Sequence, residues 1–275
     1  MKPRNHSLRA FTLGLILAGT SAPVHAGVSP WEFEVYPVRT LNQGVGELGL
    51  VNAYIPSGHT VGDEGVSAGD APSHHTWYSA TEFAYGLTDR LEAAVEFQFA
   101  RVPGLGWQGA GQSLRLRGQF PTDPISPTKL GWWLELERHR SPLFDGAAHE
   151  LGLRLLYERD FGPFTLLLDP AFEKVLSGPE RHLGLEFAYS AAVQFRHTRR
   201  LSYGLEFYGA TGLINDRDPL ADQQHYLVPT LWGKLPGGRE YNVGLGWGLT
   251  SNSDRVLIKF TLEFEHYLGP AKGGF

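Results

Sequence analysis

The most restrictive feature of this chain is a regular alternation of apolar and polar side chains, which is clearest near its C-terminal end. One face of the segment 256–265 is apolar, and the other carries Lys259, Thr261, Glu263 and Glu265. Side chains of a β-strand point alternately to its two faces, so this segment is predicted to be a strand with an apolar side and a charged side. Twelve stretches of this kind, separated by turn residues, predict an all-β fold, namely an antiparallel transmembrane β-barrel of about 12 strands.

The N-terminus has the features of a secretory signal peptide. Three basic residues precede an apolar run that ends in a small-residue cleavage site, Val24-His25-Ala26. The run is shorter than the roughly 20 residues that a membrane-spanning helix needs. We therefore expect a cleaved signal peptide over residues 1–26. Residues 27–275 are then predicted to form one barrel domain in the outer membrane of a Gram-negative cell.

Composition excludes several classes of function. Signal cleavage would remove three of the 24 basic residues and none of the 29 acidic ones, which leaves the mature chain acidic. Nucleic acid is therefore not an expected partner, because phosphates attract basic surfaces. The chain has no cysteine, which excludes disulfides and thiolate metal sites. No motif in the sequence indicates a cofactor, and none is expected.

Turn residues between the alternating stretches set the predicted strand positions. A soluble two-layer β-sandwich would also alternate, but the stretch over 182–196 is longer than sandwich strands usually are. An even number of strands puts both ends of the barrel chain on the periplasmic side. The predicted strands are about 45–55, 75–86, 90–101, 108–120, 129–139, 148–159, 163–174, 182–196, 200–211, 223–234, 239–249 and 254–266.

Two further patterns concern aromatic residues. Rings near strand ends, among them Tyr226 and Trp232, suit the interfacial girdles of outer-membrane barrels, although rings favour strands in general. The segment Trp31–Tyr36 also alternates and does not fit a count of twelve. We favour a periplasmic lead-in for it. A thirteenth pairing segment and a piece folded into the lumen remain open.

The polar face of each predicted strand is assigned to the lumen. Charges in a narrow barrel must be paired or hydrated, because isolated buried charges are costly. One interpretation is a structural network that braces the wall. The other is a water-filled path whose excess of carboxylates favours cations or neutral polar solutes. The predicted lumen-lining residues are Glu82, Glu92, Glu96, Arg115, Arg117, Glu135, Glu137, Arg154, Glu186, Glu206, Lys259, Glu263 and Glu265.

Metal and catalytic sites receive less support from the sequence. The first outer loop carries imidazoles and carboxylates, with His59, Asp63, His74 and His75 as weak metal candidates, but no ligand motif has the required spacing. A solvated acidic loop is the simpler interpretation. No Gly-x-Ser-x-Gly phrase is present, so catalysis is not expected. A lipid-modifying enzyme would need a serine and a histidine that meet on the outward face.

Several phrases resemble those of a known family. They include Asn52-Ala53-Tyr54-Ile55-Pro56-Ser57-Gly58, Glu82 to Leu91, Leu205 to Gly209, Asp222 to Pro229 and Gly246 to Thr250. The chain is similar to the proteobacterial outer-membrane barrels labelled "MetA-pathway of phenol degradation". The resemblance implies an outer-membrane barrel that moves small compounds, aromatic ones included. It carries no set of binding residues.

The expected partners follow from this fold. They are outer-membrane lipid, a small-molecule solute and the barrel-assembly machinery, which reads an aromatic residue of the last strand, here Phe264 or Tyr267. The predicted function is passage of small solutes, aromatic or cationic or neutral and polar, through a carboxylate-rich lumen. The alternative is a non-conducting structural barrel or a metal- or ligand-binding barrel.

Overall fold

The computed structural model describes residues 28–60, 72–123, 125–139 and 149–269. A 3₁₀ turn, Pro179–His182, lies between the seventh and eighth strands. Among these residues, no helix is long and apolar enough to cross a membrane. The strands are β1 Val45–Ser57, β2 Trp77–Thr88, β3 Leu91–Val102, β4 Gly106–Gln119, β5 Thr128–His139, β6 His149–Phe161, β7 Phe164–Ser177, β8 Glu186–Arg196, β9 Leu201–Leu213, β10 Asp216–Arg217, β11 Gln224–Leu235, β12 Arg239–Gly248 and β13 Val256–Tyr267.

Twelve of these strands close into one antiparallel barrel. Each long strand pairs with the next long strand of the chain, and β13 returns to β1 to close the sheet. The two-residue β10 pairs with the end of β9. This confirms the predicted all-β barrel of 12 strands. The predicted signal peptide, residues 1–26, lies outside the described residues.

Strand positions agree with the prediction to within three residues, apart from the start of β8. This strand begins at Glu186, whereas the alternation predicted a start at 182. Gly178 precedes a proline and adopts a positive φ of 107°, which turns the chain before β8. The ammonium of Lys174 then donates to the carbonyl of Arg181 (3.1 Å). Backbone carbonyls of this turn thus bind a side chain instead of a neighbouring strand.

The wall has an apolar outer surface and a polar inner surface. Leu114, Leu136 and Leu151 lie side by side on β4, β5 and β6 and are all exposed. Their sequence neighbours point inward, because successive side chains of a strand alternate between faces. Tyr226 and Trp232 also face the interior, so their prediction as girdle residues is wrong.

The barrel has two distinct ends. Short connections join the strands at one end, where β1 begins and β13 ends, and we call this the turn end. The opposite end, which includes the connection from β1 to β2, is called the loop end. In the orientation expected for an outer-membrane barrel, the turn end faces the periplasm.

Residues 28–44, called the N-terminal segment, lie inside the barrel. The segment pairs with no strand of the described wall. At the loop end, the backbone N–H of Val28 donates to Oε1 of Gln224 (2.8 Å). At the turn end, the N–H of Gly44 donates to the carbonyl of Gly86 (2.9 Å). The segment therefore crosses the whole height of the lumen.

This placement corrects the expectation of a periplasmic lead-in over Trp31–Tyr36. The side chains of Trp31, Phe33 and Val35 are buried, and they would be exposed to water in the periplasm. Burial of each large apolar side chain contributes about 1.5–3 kcal/mol. The alternation that resembled a strand is thus the two-sided contact of an extended segment with the barrel interior.

Candidate functional site

The N-terminal segment is held in the lumen by Glu32. One carboxylate oxygen of Glu32 lies 3.2 Å from Nη2 of Arg115, and the other lies 2.6 Å from Nη2 of Arg154. All three side chains are buried. Arg115 is on β4 and Arg154 is on β6, so one carboxylate joins two parts of the wall. Charge-assisted hydrogen bonds of this kind are stronger than neutral ones.

Arg115 is the centre of a larger ionic network. Besides Glu32, its guanidinium contacts Glu96 (2.8 Å), Glu135 (2.7 Å) and Glu82. The guanidinium also lies over the ring of Trp133, 4.9 Å from the ring centroid. One buried cation thus serves four carboxylates. Carboxylates directly opposite each other, as Glu82 and Glu96 are, repel without such a cation.

A second network surrounds Lys259, which is 1% exposed. Its ammonium lies 2.6 Å from the carboxylate of Glu206 and 3.0 Å from the hydroxyl oxygen of Tyr208. The third donor hydrogen is directed to the carbonyl of Phe33 in the N-terminal segment (2.8 Å). Both charges are fully buried, so each depends on the other for compensation.

Wall carboxylates also bind the backbone of the segment. The N–H groups of Tyr36 and Val38 donate to Asp169 (2.7 Å) and Glu158 (3.1 Å). Nearer the turn end, the N–H of Leu41 donates to Glu92 (2.8 Å). Buried backbone N–H groups need an acceptor, and this segment has no ladder to supply one. Carboxylates of the lumen perform that role.

Aromatic packing closes the lumen toward the loop end. The ring of Phe33 meets Tyr208 and Tyr226 edge to face, with ring centroids 5.3 Å apart in each pair. Trp31 meets Tyr78 in the same way at 5.2 Å. These rings belong to one buried apolar cluster. Such close packing excludes water from this level of the lumen.

A cavity of about 420 Å³ lies below this cluster and reaches the turn end. Seven carboxylates and eight basic side chains line it. The lining therefore lacks the excess of carboxylates that the strand pattern predicted for the lumen. Arg39 of the N-terminal segment and Arg199 and Arg200 of the turn between β8 and β9 account for much of the difference. The strand pattern did not include these connections.

The predicted lumen-lining residues fall into two groups by burial. Four of them, Glu82, Arg115, Arg117 and Glu263, line the cavity. Their role in solute passage stays a prediction. The fully buried group is Glu92, Glu96, Arg115, Glu135, Arg154, Glu206 and Lys259. The half-buried group is Glu82, Arg117, Glu137, Glu186, Glu263 and Glu265.

Sequence reasoning missed Glu32 and Glu34 as site residues. They occupy the polar side of the alternation in Trp31–Tyr36. That pattern signals an extended, two-faced segment, but it is equally compatible with a strand, a lead-in and a lumen segment. The alternation thus indicated an extended segment, but it did not indicate where in the barrel that segment lies.

The predicted metal candidates do not converge in the described residues. The imidazole rings of His74 and His75 are 4.0 Å apart, and Nδ1 of His75 lies 3.0 Å from the hydroxyl oxygen of Tyr54. The backbone N–H of His59 donates to Ser73. No group of three or more metal-ligating side chains occurs in the part of the chain that the structure covers. Asp63 lies outside it, so this site stays a prediction.

A side-chain hydrogen bond joins two connections at the loop end. The hydroxyl of Ser73, in the connection from β1 to β2, donates to the carboxylate of Asp254, which precedes β13. Burial raises the pKa of the Asp254 carboxyl above its usual range. The hydrogen bond from Ser73 opposes that effect because it favours the ionised form.

One serine and histidine pair bears on the enzymatic alternative. Nδ1 of His149 lies 2.9 Å from Oγ of Ser177 at the loop end of β6 and β7. A hydrolytic triad also needs a third group that orients the imidazole. Within the described ranges, no carboxylate contacts His149 in a hydrogen bond or ion pair. This pair therefore gives no support for hydrolysis.

Comparison with solved structures supports the same fold. An outer-membrane channel from Pseudomonas putida F1 superposes with a TM-score of 0.59 at 13% identity, over 85% of this chain and 100% of that chain. The KdgM porin gives a TM-score of 0.52 at 7% identity, over 79% and 98%. The NanC porin gives 0.50 at 8% identity, over 80% and 98%. No family model matches the chain, and no curated protein matches it. The fold is that of outer-membrane channel barrels.

Proposed function

We propose that this protein is an outer-membrane channel for small solutes and that its N-terminal segment restricts passage. The observation that carries the proposal is the cavity of about 420 Å³ inside a closed, polar-lined barrel. Likeness in fold to solved outer-membrane channels supports the same conclusion.

In this proposal, a solute from the loop end passes only when part of the N-terminal segment moves. The segment is extended and pairs with no strand, so it leaves the lumen without breaking the barrel ladder. Its ties are the side-chain contacts of Glu32, Lys259 and the wall carboxylates, the apolar packing of Trp31 and Phe33, and hydrogen bonds at its two ends. Release of a segment held by such contacts resembles lid opening, which takes place in microseconds to seconds.

The narrower features of the function are also part of the proposal. Solutes are small: the resemblance to the phenol-degradation barrels supports aromatic compounds, and the cavity carboxylates that form no ion pair within the described residues, Glu34, Glu47 and Glu263, support cationic or neutral polar ones. The mature chain resides in the outer membrane after cleavage near residue 26. Its assembly requires the barrel-assembly machinery, with Phe264 or Tyr267 as the recognised aromatic residue.

Uptake into liposomes tests the proposal. The mature chain is reconstituted, and the entry of a neutral, a cationic and an anionic solute of similar size is measured against protein-free vesicles. The proposal expects faster entry of at least the neutral or cationic solute. Folded protein that gives no entry above the protein-free rate for any solute would contradict it.

A second candidate function is a non-conducting barrel. The observation in its favour is the buried network of Arg115 with four carboxylates, which braces the wall and fixes the segment. The same uptake experiment separates the two candidates. A variant without residues 28–41 should admit solutes if the segment restricts a channel. It should remain impermeable if side chains of the wall alone fill the lumen.

A further inference from the structure

The upper part of the cavity contains two buried polar groups without hydrogen-bond partners. Asn242 and Thr261 are 6% and 1% exposed and face each other across β12 and β13. Oδ1 of Asn242 and Oγ1 of Thr261 have no partner among the described residues, although both side chains line the cavity. An unsatisfied buried polar group costs about 1–3 kcal/mol. Both groups are therefore available to a hydrogen-bonding molecule in the cavity.

Carboxylates without ion pairs lie on the same side of the cavity. Glu34, Glu47 and Glu263 all line it, and none of them forms a salt bridge in the described part of the chain. Glu263 is two residues from Thr261 on the same face of β13, and Gly49 opposite it carries no side chain. By contrast, Glu158 and Glu240, which line the cavity nearer the turn end, are paired with lysines.

Apolar side chains also line the cavity. Val35, Val51, Leu167 and Trp232 line the cavity beside the polar groups. Ligand sites commonly combine such apolar walls with a few polar groups that fix orientation. A cavity of about 420 Å³ accommodates a molecule with one ring and a short substituent.

We propose that this part of the cavity binds a small organic cation, namely a primary ammonium group on an apolar body. The carboxylates of Glu34 and Glu263 and Oδ1 of Asn242 accept the ammonium hydrogens. Trp232 and the aliphatic side chains cover the apolar body. Among the described residues, the groups without ion pairs or hydrogen-bond partners here are mostly oxygens, those of Glu34, Glu263, Asn242 and Thr261, against one buried donor, Nε of Arg117, so the site favours a ligand that donates hydrogen bonds. A carboxylate ligand would face three carboxylates, and Arg117, which also lines the cavity, is already paired with Glu92.

Small organic cations are then the solutes of the proposed channel. This assignment rests on the proposed function, whereas binding in the cavity does not. Binding is measured separately, on refolded mature protein in detergent micelles, by ligand-observed NMR. Benzylammonium is the probe, and benzyl alcohol and benzoate are neutral and anionic controls of nearly the same shape. We expect saturable binding of benzylammonium that is at least about tenfold tighter than binding of benzyl alcohol, as charge-assisted hydrogen bonds require.

Variants assign the site. Glu263→Gln and Asn242→Leu should each weaken benzylammonium binding by about tenfold or more, because the first removes the charge of a carboxylate and the second removes an acceptor for a charged donor. Glu137→Gln is the matched control, since this lumen carboxylate lies outside the cavity lining. It should leave the affinity unchanged. A heat-modifiable gel shift shows that each variant is folded.

Three results would overturn the inference. They are equal affinity for benzyl alcohol, no saturable binding of benzylammonium, and equal weakening by Glu137→Gln and Glu263→Gln. The uptake experiment is independent of these results. If the protein admits solutes but does not bind benzylammonium, the proposed site is refuted and the proposed channel is not. If the protein binds benzylammonium but admits no solute, the proposed channel is refuted and the proposed site is not.

Discussion

Replacement of Glu32 by glutamine should release the N-terminal segment from the lumen. Arg154 is buried, and among the described residues its salt bridge is to Glu32, at 2.6 Å. Loss of one partner from a buried ion pair costs about 3–5 kcal/mol. Glutamine keeps one acceptor oxygen, and Arg115 keeps three carboxylates, so the lower limit applies, about 3 kcal/mol.

The loss destabilises only the state in which the N-terminal segment occupies the lumen, because water hydrates Arg154 once the segment has left. Each 1.4 kcal/mol is a factor of ten, so about 3 kcal/mol raises the displaced fraction by roughly 100-fold. Amide hydrogen exchange of peptides from residues 31–41 measures that fraction. The matched control is Glu137→Gln, whose carboxylate lies 3.8 Å from His139. Unchanged exchange in Glu32→Gln, or equal acceleration in the control, would refute the role of Glu32.

Three further predictions concern the wall. Lys259→Met should destabilise the barrel by about 3–5 kcal/mol, because it leaves Glu206 buried and unpaired. The double variant with Glu206→Leu should recover most of that loss in urea unfolding. No recovery would contradict the pairing. Leu114→Arg should lower folding stability in lipid vesicles by about 2–4 kcal/mol if this residue faces the membrane midplane, and an unchanged midpoint would refute the assignment of faces. Gly86→Ala should accelerate hydrogen exchange at the turn end of the N-terminal segment, because a Cβ there collides with a backbone carbonyl of the segment. Gly152→Ala, whose Cβ meets nothing closer than 3.8 Å, should leave this exchange unchanged, and equal exchange in both variants would count against the close contact.

The barrel wall could be predicted from sequence because each strand carries its own evidence. Along β13, Ile258 and Phe260 alternate with Lys259 and Thr261, and the period of two fixes both the strand and its two faces. Lipid outside and a polar interior make that alternation nearly obligatory. Position in the wall therefore follows from local sequence.

The interior could not be predicted in the same way. Glu32 and Phe33 alternate as wall residues do, but their partners lie far away in the chain, such as Arg154 and Lys259. No local pattern specifies which surface an extended segment meets. The charge of the cavity was misjudged for a related reason, because Arg199 and Arg200 belong to a turn and not to the strand pattern. Long-range placement decides both features.

Single-channel recording in a planar bilayer tests the central claim, which is that the N-terminal segment restricts a conducting barrel. The mature chain and the variant without residues 28–41 are compared after a gel shift confirms that both are folded. The account predicts small or infrequent openings for the mature chain and a larger, sustained conductance for the variant. Equal conductance of the two proteins, or a folded variant with no conductance, would contradict it.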